Sequence, residues 1–466
     1  MRQLQRWTLV AAVLLLIAAC SKDKDIDTPA VLSPFHQTLK IQRVWSASVP
    51  DKGARQLRLG LSLATEGNRV YAAGYKGEVV AFDLTSGHVV WHTRLKKTPF
   101  SGGPAVGGGL VAAGTSEGEV VALEADTGKV RWRVRLNGEI LAAPAISERA
   151  VAVRTVDGKL RALSPKDGHD LWTQEQQVPR LSLRGTSRPV IAGDLTLCGF
   201  DNGKVIAVNM NDGSLQWEAT VAPPHGRTEL ERLNDVDSTP RVSGSDVFTV
   251  GYQGRVAKLA LDNGQVWWSH DASSYRGIAL DDDALYVAMA SGEVVALRHG
   301  SGAEVWRQKA LLHRGLSAVA ITDNAVVTAD FQGYVHWLDK ATGELAARVR
   351  PSKHRISNPP VVSGNTVIVI DDAGKITAYR ATPIGGAMAG KRKIPAESAP
   401  ARDNAPAAPA AAPAPSTEPA PAVPPAPAAV PPAPAAPPEP AAPPAPETAT
   451  PPPPPAPSTP PPVTPK

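Results

Sequence analysis

Short apolar runs alternate with turn residues along most of the chain, and the alternation repeats. Val70-Tyr71-Ala72-Ala73 and Val120-Val121-Ala122-Leu123 are typical runs, and Lys76-Gly77, Asp157-Gly158 and Asn202-Gly203 are typical boundaries. Brief β-prone segments bounded by such dipeptides read as antiparallel strands joined by hairpins. Asp126-Thr127-Gly128 and Asn211-Asp212-Gly213 turn the chain once more, while Gly103-Pro104-Ala105-Val106 and Ala143-Pro144-Ala145-Ile146 supply a further, innermost strand. Four strands thus fit into each period of about 41 residues, the size of one β-propeller blade. No long amphipathic helix interrupts the series.

Glycines at 77, 118, 158, 203, 254, 292, 333 and 374 each open a unit. In six units a second glycine follows after ten residues and a tryptophan after fourteen, giving Trp91, Trp132, Trp172, Trp217, Trp268 and Trp306. The eighth unit runs through Gly374 to Tyr379 but lacks the later glycine and tryptophan; the missing strand stands at the other end of the chain, as Arg43-Val44-Trp45-Ser46-Ala47. An N-terminal strand completing the last blade would close the ring and hide its open sheet edge. The expected fold is therefore an all-β, eight-bladed propeller of four-stranded antiparallel blades over residues 40–385. Trp45 and the six other tryptophans are expected to dock one blade on the next.

Composition adds two flanking segments. Thirty of the 46 prolines fall between Pro395 and the last residue, in long Ala-Pro runs with few charges. Such a segment buries too little apolar surface to offset its ordering entropy, so 386–466 reads as a disordered tail. At the other end, Arg2 and Arg6 precede an apolar run over Leu9–Ala19 that stops at Ile17-Ala18-Ala19-Cys20. That pattern resembles a bacterial lipobox. It implies a signal peptide over 1–19, acylation of Cys20, and a polar tether over 20–39. With Ser21 rather than aspartate after the cysteine, the resemblance implies an anchor in the outer membrane, on its periplasmic face. Several acyl chains hold a protein firmly where one does not. The net charge of +5 is spread thinly, with no basic and aromatic interleaving of the kind that binds nucleic acid.

The set Ala81/Gly87/Trp91, repeated at Ala122/Gly128/Trp132, Ala162/Gly168/Trp172, Ala207/Gly213/Trp217 and Ala296/Gly302/Trp306, resembles the tryptophan-docking pattern of quinoprotein-like propellers. In that family the indole stacks on the backbone of the neighbouring blade. Two units depart from it: Lys258 replaces the alanine in the fifth, and the seventh carries Trp337 and Ala347 in exchanged places. The seventh is therefore expected to be the weakest seam.

Relatives in that broad family are dehydrogenases that hold pyrroloquinoline quinone with calcium. The vicinal cysteine pair that accompanies the quinone is missing, for Cys20 and Cys198 are the only cysteines. Cys198 reads as a small buried hydrophobe, and Asp281-Asp282-Asp283 as a solvated turn rather than a cation site. Histidines show no ligand-like spacing, and no nucleophile elbow or phosphate loop occurs. The expected protein is a non-catalytic scaffold with no cofactor, no metal and no small-molecule substrate.

Unit length carries the remaining signal. Spacings of 45 and 51 mark extra residues between Trp172 and Gly203 and between Trp217 and Gly254. The first insertion contains Leu181-Ser182-Leu183-Arg184-Gly185, the second Glu231-Arg232-Leu233-Asn234-Asp235-Val236-Asp237. Loops on a rigid ring are good places for contact residues. Together with the lipobox and the eight blades, these two segments resemble the BamB family of propeller lipoproteins in the outer-membrane barrel-assembly (BAM) machine. The resemblance implies a scaffold that assists folding and insertion of outer-membrane proteins. It implies docking on a periplasmic POTRA domain of BamA, alongside other BAM subunits, through Leu181, Leu183, Arg184, Asp235 and Asp237. The alternatives are a propeller lipoprotein with another periplasmic partner, as a sensor or cell-wall binder, and a quinone-dependent dehydrogenase.

Overall fold

The computed structural model describes residues 27–50, 60–224, 226–228, 231, 234–385 and 394. Cys20, the signal segment and, apart from Ile394, the tail expected over 386–466 lie outside the described residues. Eight separate four-stranded antiparallel sheets are present, each built from consecutive strands except the last. Blade one comprises Leu63–Glu66, Arg69–Gly74, Glu78–Asp83 and Val89–Arg94, from the inner to the outer edge. Blade eight takes Val361–Ser363, Thr366–Ile370 and Lys375–Pro383 from the end of the ring and Leu39–Ser48 from its start. Arg43 pairs with Tyr379 and Trp45 with Ala378, so the expected closure is present in register.

Period-2 side-chain alternation explains why the outer strands are amphipathic while the second and third are apolar throughout. The two middle strands of a blade meet neighbours on both faces, as Val70–Ala73 and Val79–Phe82 show by being wholly buried. Outer strands such as Val89–Arg94 bury chiefly the tryptophan. Each indole lies directly across from the small residue of its own third strand: Ala81 opposite Trp91, Ala122 opposite Trp132, Ala207 opposite Trp217. It then reaches the turn of the following blade. Gly87 has a φ of +72°, and a Cβ there would stand 2.6 Å from the Trp45 ring. Only glycine meets both demands.

One hydrogen bond recurs at these seams. The indole Nε1 donates to the carbonyl three residues before the docking glycine: Trp45 to Leu84, Trp91 to Ala125, Trp132 to Pro165, Trp172 to Met210, Trp217 to Leu261 and Trp306 to Lys340, over 2.7–3.0 Å. A buried N–H left unpaired would be costly, so the bond fixes the indole's direction as well as its depth. Trp268 is the exception among the outer-strand indoles. It is only half-buried, and its Nε1 finds no acceptor among the described residues. Lys258 stands opposite it, paired with Asp246 at 2.9 Å, in the place of the usual alanine.

Blade seven is better filled than its sequence suggests. Trp337 pairs with Ala347, so indole and alanine have exchanged strands without leaving their shared face. Trp337 is fully buried and meets Tyr379 of blade eight edge-on, with ring centroids 5.9 Å apart. Its Nε1, like that of Trp268, finds no acceptor among the described residues, so the fifth and the seventh blades both lack the recurring seam bond.

The segment expected as a polar tether packs on the ring from residue 27 onward. Ala30 N–H donates to the Leu312 carbonyl and Thr38 N–H to that of Ala346, while the Arg348 guanidinium lies 4.9 Å from the Phe35 ring. Leu32 joins the core cluster of Leu311, Leu316 and Val319. This strap covers the outer strand of blade seven, Leu345–Val349, which explains why Ala346 is buried where its counterparts Val90, Leu171 and Trp267 are exposed.

Candidate functional site

The two insertions meet at one end of the ring. Strand order places every connection from an outer strand to the next inner strand at the same end as the turns between second and third strands. Loop one (176–189) joins blade three to blade four, and loop two (221–240) joins blade four to blade five. Leu181 is 42 % exposed, Leu183 half-buried, and Arg184 exposed. Arg184 Nη2 donates to Glu139 Oε1 at 2.6 Å, which holds the guanidinium against the connection between blades two and three.

Loop two serves loop one from behind. Asp235, expected on the contact surface, is 1 % exposed, and its Oδ2 accepts the Leu183 N–H. The Ser187 hydroxyl donates to the Ser238 carbonyl at 2.9 Å. Gly185 lies so close to the Asp237 carboxylate that no Cβ would fit between them. Asp235 and Asp237 sit one residue apart in extended chain, so both point inward together. Val236 N–H and the Asp235 carbonyl bond back to Phe200 and Tyr252, pinning the segment to its blades.

Beneath both loops lies a polar cluster that the sequence reading did not assemble. Arg154 Nη2 donates to Asp201 Oδ1 at 3.1 Å, Nη1 donates to the Thr155 carbonyl, and the guanidinium stacks 4.1 Å from the Phe200 ring. Arg154 and Asp201 are almost wholly buried. Burial pushes the carboxyls of Asp201, Asp235 and Asp237 up from their ordinary range, Asp235 to about 7, with Arg154 opposing the rise in each. One signal for the cluster was present: strand register puts Arg154 where other blades carry Ala73, Gly114, Gly199, Val250, Ala288, Ala329 and Ile370. A lone arginine in a column of small and apolar residues marks a buried charge that needs partners.

The remaining candidates are structural. Cys198 is wholly buried, and burial pushes its thiol up to about 12, far from a reactive thiolate. Asp281 caps its own turn by accepting the Asp283 and Ala284 N–H groups, and it pairs with the largely buried Lys340 at 2.7 Å. It is a bracing residue rather than a freely solvated one. Among the described residues no group of three or more His, Cys, Asp or Glu side chains is arranged to hold a metal ion.

The model of the family described as "Outer membrane protein assembly factor BamB" matches residues 40–98, 75–308 and 290–383, nearly the whole ring. The chain belongs to the BamB family. A BamB relative from Pseudomonas aeruginosa is 39 % identical over 379 residues, covering 81 % of this chain and 99 % of the relative. The crystal structure of BamB from Moraxella catarrhalis superposes with a TM-score of 0.67 at 25 % identity, over 73 % of this chain and 100 % of that one. A quinohemoprotein alcohol dehydrogenase from Pseudomonas putida HK5 shares the fold at a TM-score of 0.58 but only 14 % identity, covering 78 % of each chain. The match to the BamB family extends through both insertions and the closing strand. Family membership associates the chain with assembly at the outer membrane.

Proposed function

We propose that this propeller is a non-catalytic docking subunit of the BAM complex, tethered through an acylated Cys20 to the periplasmic face of the outer membrane. It holds the machine in position while outer-membrane proteins fold and insert. The observation that carries the reading is the pairing of the two insertions into one braced surface, within a ring that belongs to the BamB family. Leu181 and Leu183 supply apolar contact and Arg184 a guanidinium, presented on a loop whose backbone is already fixed. A prefixed loop loses less entropy on binding than a floppy one. Asp235 and Asp237 act from behind, by holding loop one in shape. The partner is a POTRA domain of BamA.

The test is co-purification. Leu181→Asp combined with Arg184→Glu places two carboxylates on the surface and is expected to reduce recovery of BamA at least about tenfold, since truncating central anchors costs roughly 2 kcal/mol or more. Thermal stability should stay within a few degrees of the parent, because both side chains are exposed enough to change without opening the core. Undiminished BamA recovery from the double variant would refute this surface.

A further inference from the structure

The strap over residues 27–38 fixes where the chain leaves the ring towards the anchor. We infer that the loop end of blades six to eight is a cationic surface that rests on anionic phospholipid headgroups, an inference that depends on the Cys20 anchor proposed above. Three observations point there. The first is leash length. Ala30 is held by its N–H on the Leu312 carbonyl and by its own carbonyl, which accepts from Arg314 Nη1 at 2.9 Å. Nine residues lie between Cys20 and Ala30, and the ten steps, fully extended, reach at most about 35 Å. The propeller is therefore kept near the bilayer, and the loop carrying Leu312 is held nearer than any point farther round the ring.

The second is that the strap has a firm base. Arg314 also donates to Asp330 at 2.8 Å through Nε, and Asp330 is shared with His336 at 3.1 Å, all three being almost wholly buried. An arginine locked in this way holds the strap at a defined place on the ring.

The third is charge. The two connections at this end, 309–319 and 350–360, carry Lys309, His313, Arg350, Lys353 and His354. Lys309, Arg350, Lys353 and His354 are exposed. The acids of the same end are few: Glu293 is shared by Arg307 at 2.8 Å and Lys309 at 3.9 Å, Asp330 pairs with Arg314, Asp371 is buried and accepts the Ala373 and Lys375 N–H groups, and Asp372 accepts the Ser357 hydroxyl, which leaves Arg350, Lys353 and His354 as the excess charge. Asp27 lies 3.7 Å from His313. Surface charge attracts lipid headgroups only within about a Debye length, roughly 8 Å at physiological salt. A short leash fixed beside the basic loops delivers that proximity.

The probe is a set of vesicles, either phosphatidylethanolamine with one quarter phosphatidylglycerol or phosphatidylcholine alone. The full chain lacking its signal peptide and carrying Cys20→Ser is used, so that acyl chains contribute nothing. Expected is sedimentation with the anionic vesicles, little with the neutral ones, and loss of binding in half-molar salt. Lys309→Glu/Arg350→Glu/Lys353→Glu should weaken anionic binding at least about tenfold. A charge-matched change on exposed residues elsewhere, Lys129→Glu/Arg131→Glu/Lys166→Glu, should leave most of it. Equal binding to both vesicles, no binding, or an unaffected first triple variant would overturn the inference. Mass spectrometry of the native chain separates this from the anchor itself: an unacylated Cys20 refutes the anchor, whereas an acylated Cys20 with charge-blind vesicle binding refutes only the surface.

Discussion

Trp45→Ala is expected to cost about 3–5 kcal/mol, the range for truncating a buried indole, and Trp268→Ala clearly less. Trp45 is 7 % exposed, bonds the Leu84 carbonyl at 2.8 Å, and lies on Gly87. It also fastens the two ends of the chain, since its strand pairs with Lys375–Pro383. Loss of that seam frees an edge on blade eight and lets the closing strand separate, so the cost includes ring opening as well as a cavity. Trp268 has less to lose: it is half-buried, and its N–H has no acceptor among the described residues. Denaturant midpoints of the two variants side by side decide the matter. Equal losses would show that the recurring bond to the carbonyl contributes little.

Arg154→Met should have the second-largest effect, and it should act on two readouts at once. Removing the guanidinium strands Asp201 in the core, and breaking a buried ion pair from one side costs about 3–5 kcal/mol. The same change withdraws the one positive charge that opposes proton uptake at Asp201, Asp235 and Asp237. These carboxyls already bind protons more readily in the folded chain than in the unfolded one. Between pH 4 and pH 7 the folded state therefore holds more protons, and stability from this cluster falls as pH rises through that window. In the variant the fall should be steeper. BamA recovery should drop even though Arg154 is buried and touches no surface, because Asp235 holds the Leu183 backbone. A pH-independent loss of stability with full BamA recovery would confine Arg154 to a packing role.

The ring was largely legible in the chain, for physical reasons visible in single residues. Gly87 and Trp91 recur at fixed offsets because each indole needs a Cβ-free turn beneath it, and a requirement imposed at every seam repeats at every period. The closing strand was legible because Trp45 supplies the one indole that the eighth unit lacks. The packing of the seventh seam was hidden for the converse reason. A cross-strand pair works in either order, so Trp337 opposite Ala347 shares a face as Ala81 and Trp91 do, although the linear pattern is broken and the indole N–H loses its acceptor.

The candidate site was legible only in outline. Insertion length flagged both loops; Leu181 and Arg184 are exposed and Leu183 is half-buried. Asp235 is buried instead, because alternation in a strand-like segment says that two carboxylates share a face without saying which way that face points. Glu139, Arg154 and Asp201 come from other blades, and nothing local connects them to the insertions. The docked strap was not legible because Ala30-Val31-Leu32 and Phe35 are too short an apolar signal to mark an element, and their partners lie some 280 to 315 residues away in the chain.

Site-specific photocrosslinking in living cells tests the docking surface most directly. A photoreactive phenylalanine analogue at Leu181 should yield an adduct with BamA, while the same analogue at Asp126, exposed on a turn at the opposite end of the ring, should not. An adduct from position 126 and none from 181, in chains that fold and accumulate equally, would contradict the assignment of loops one and two as the contact with BamA.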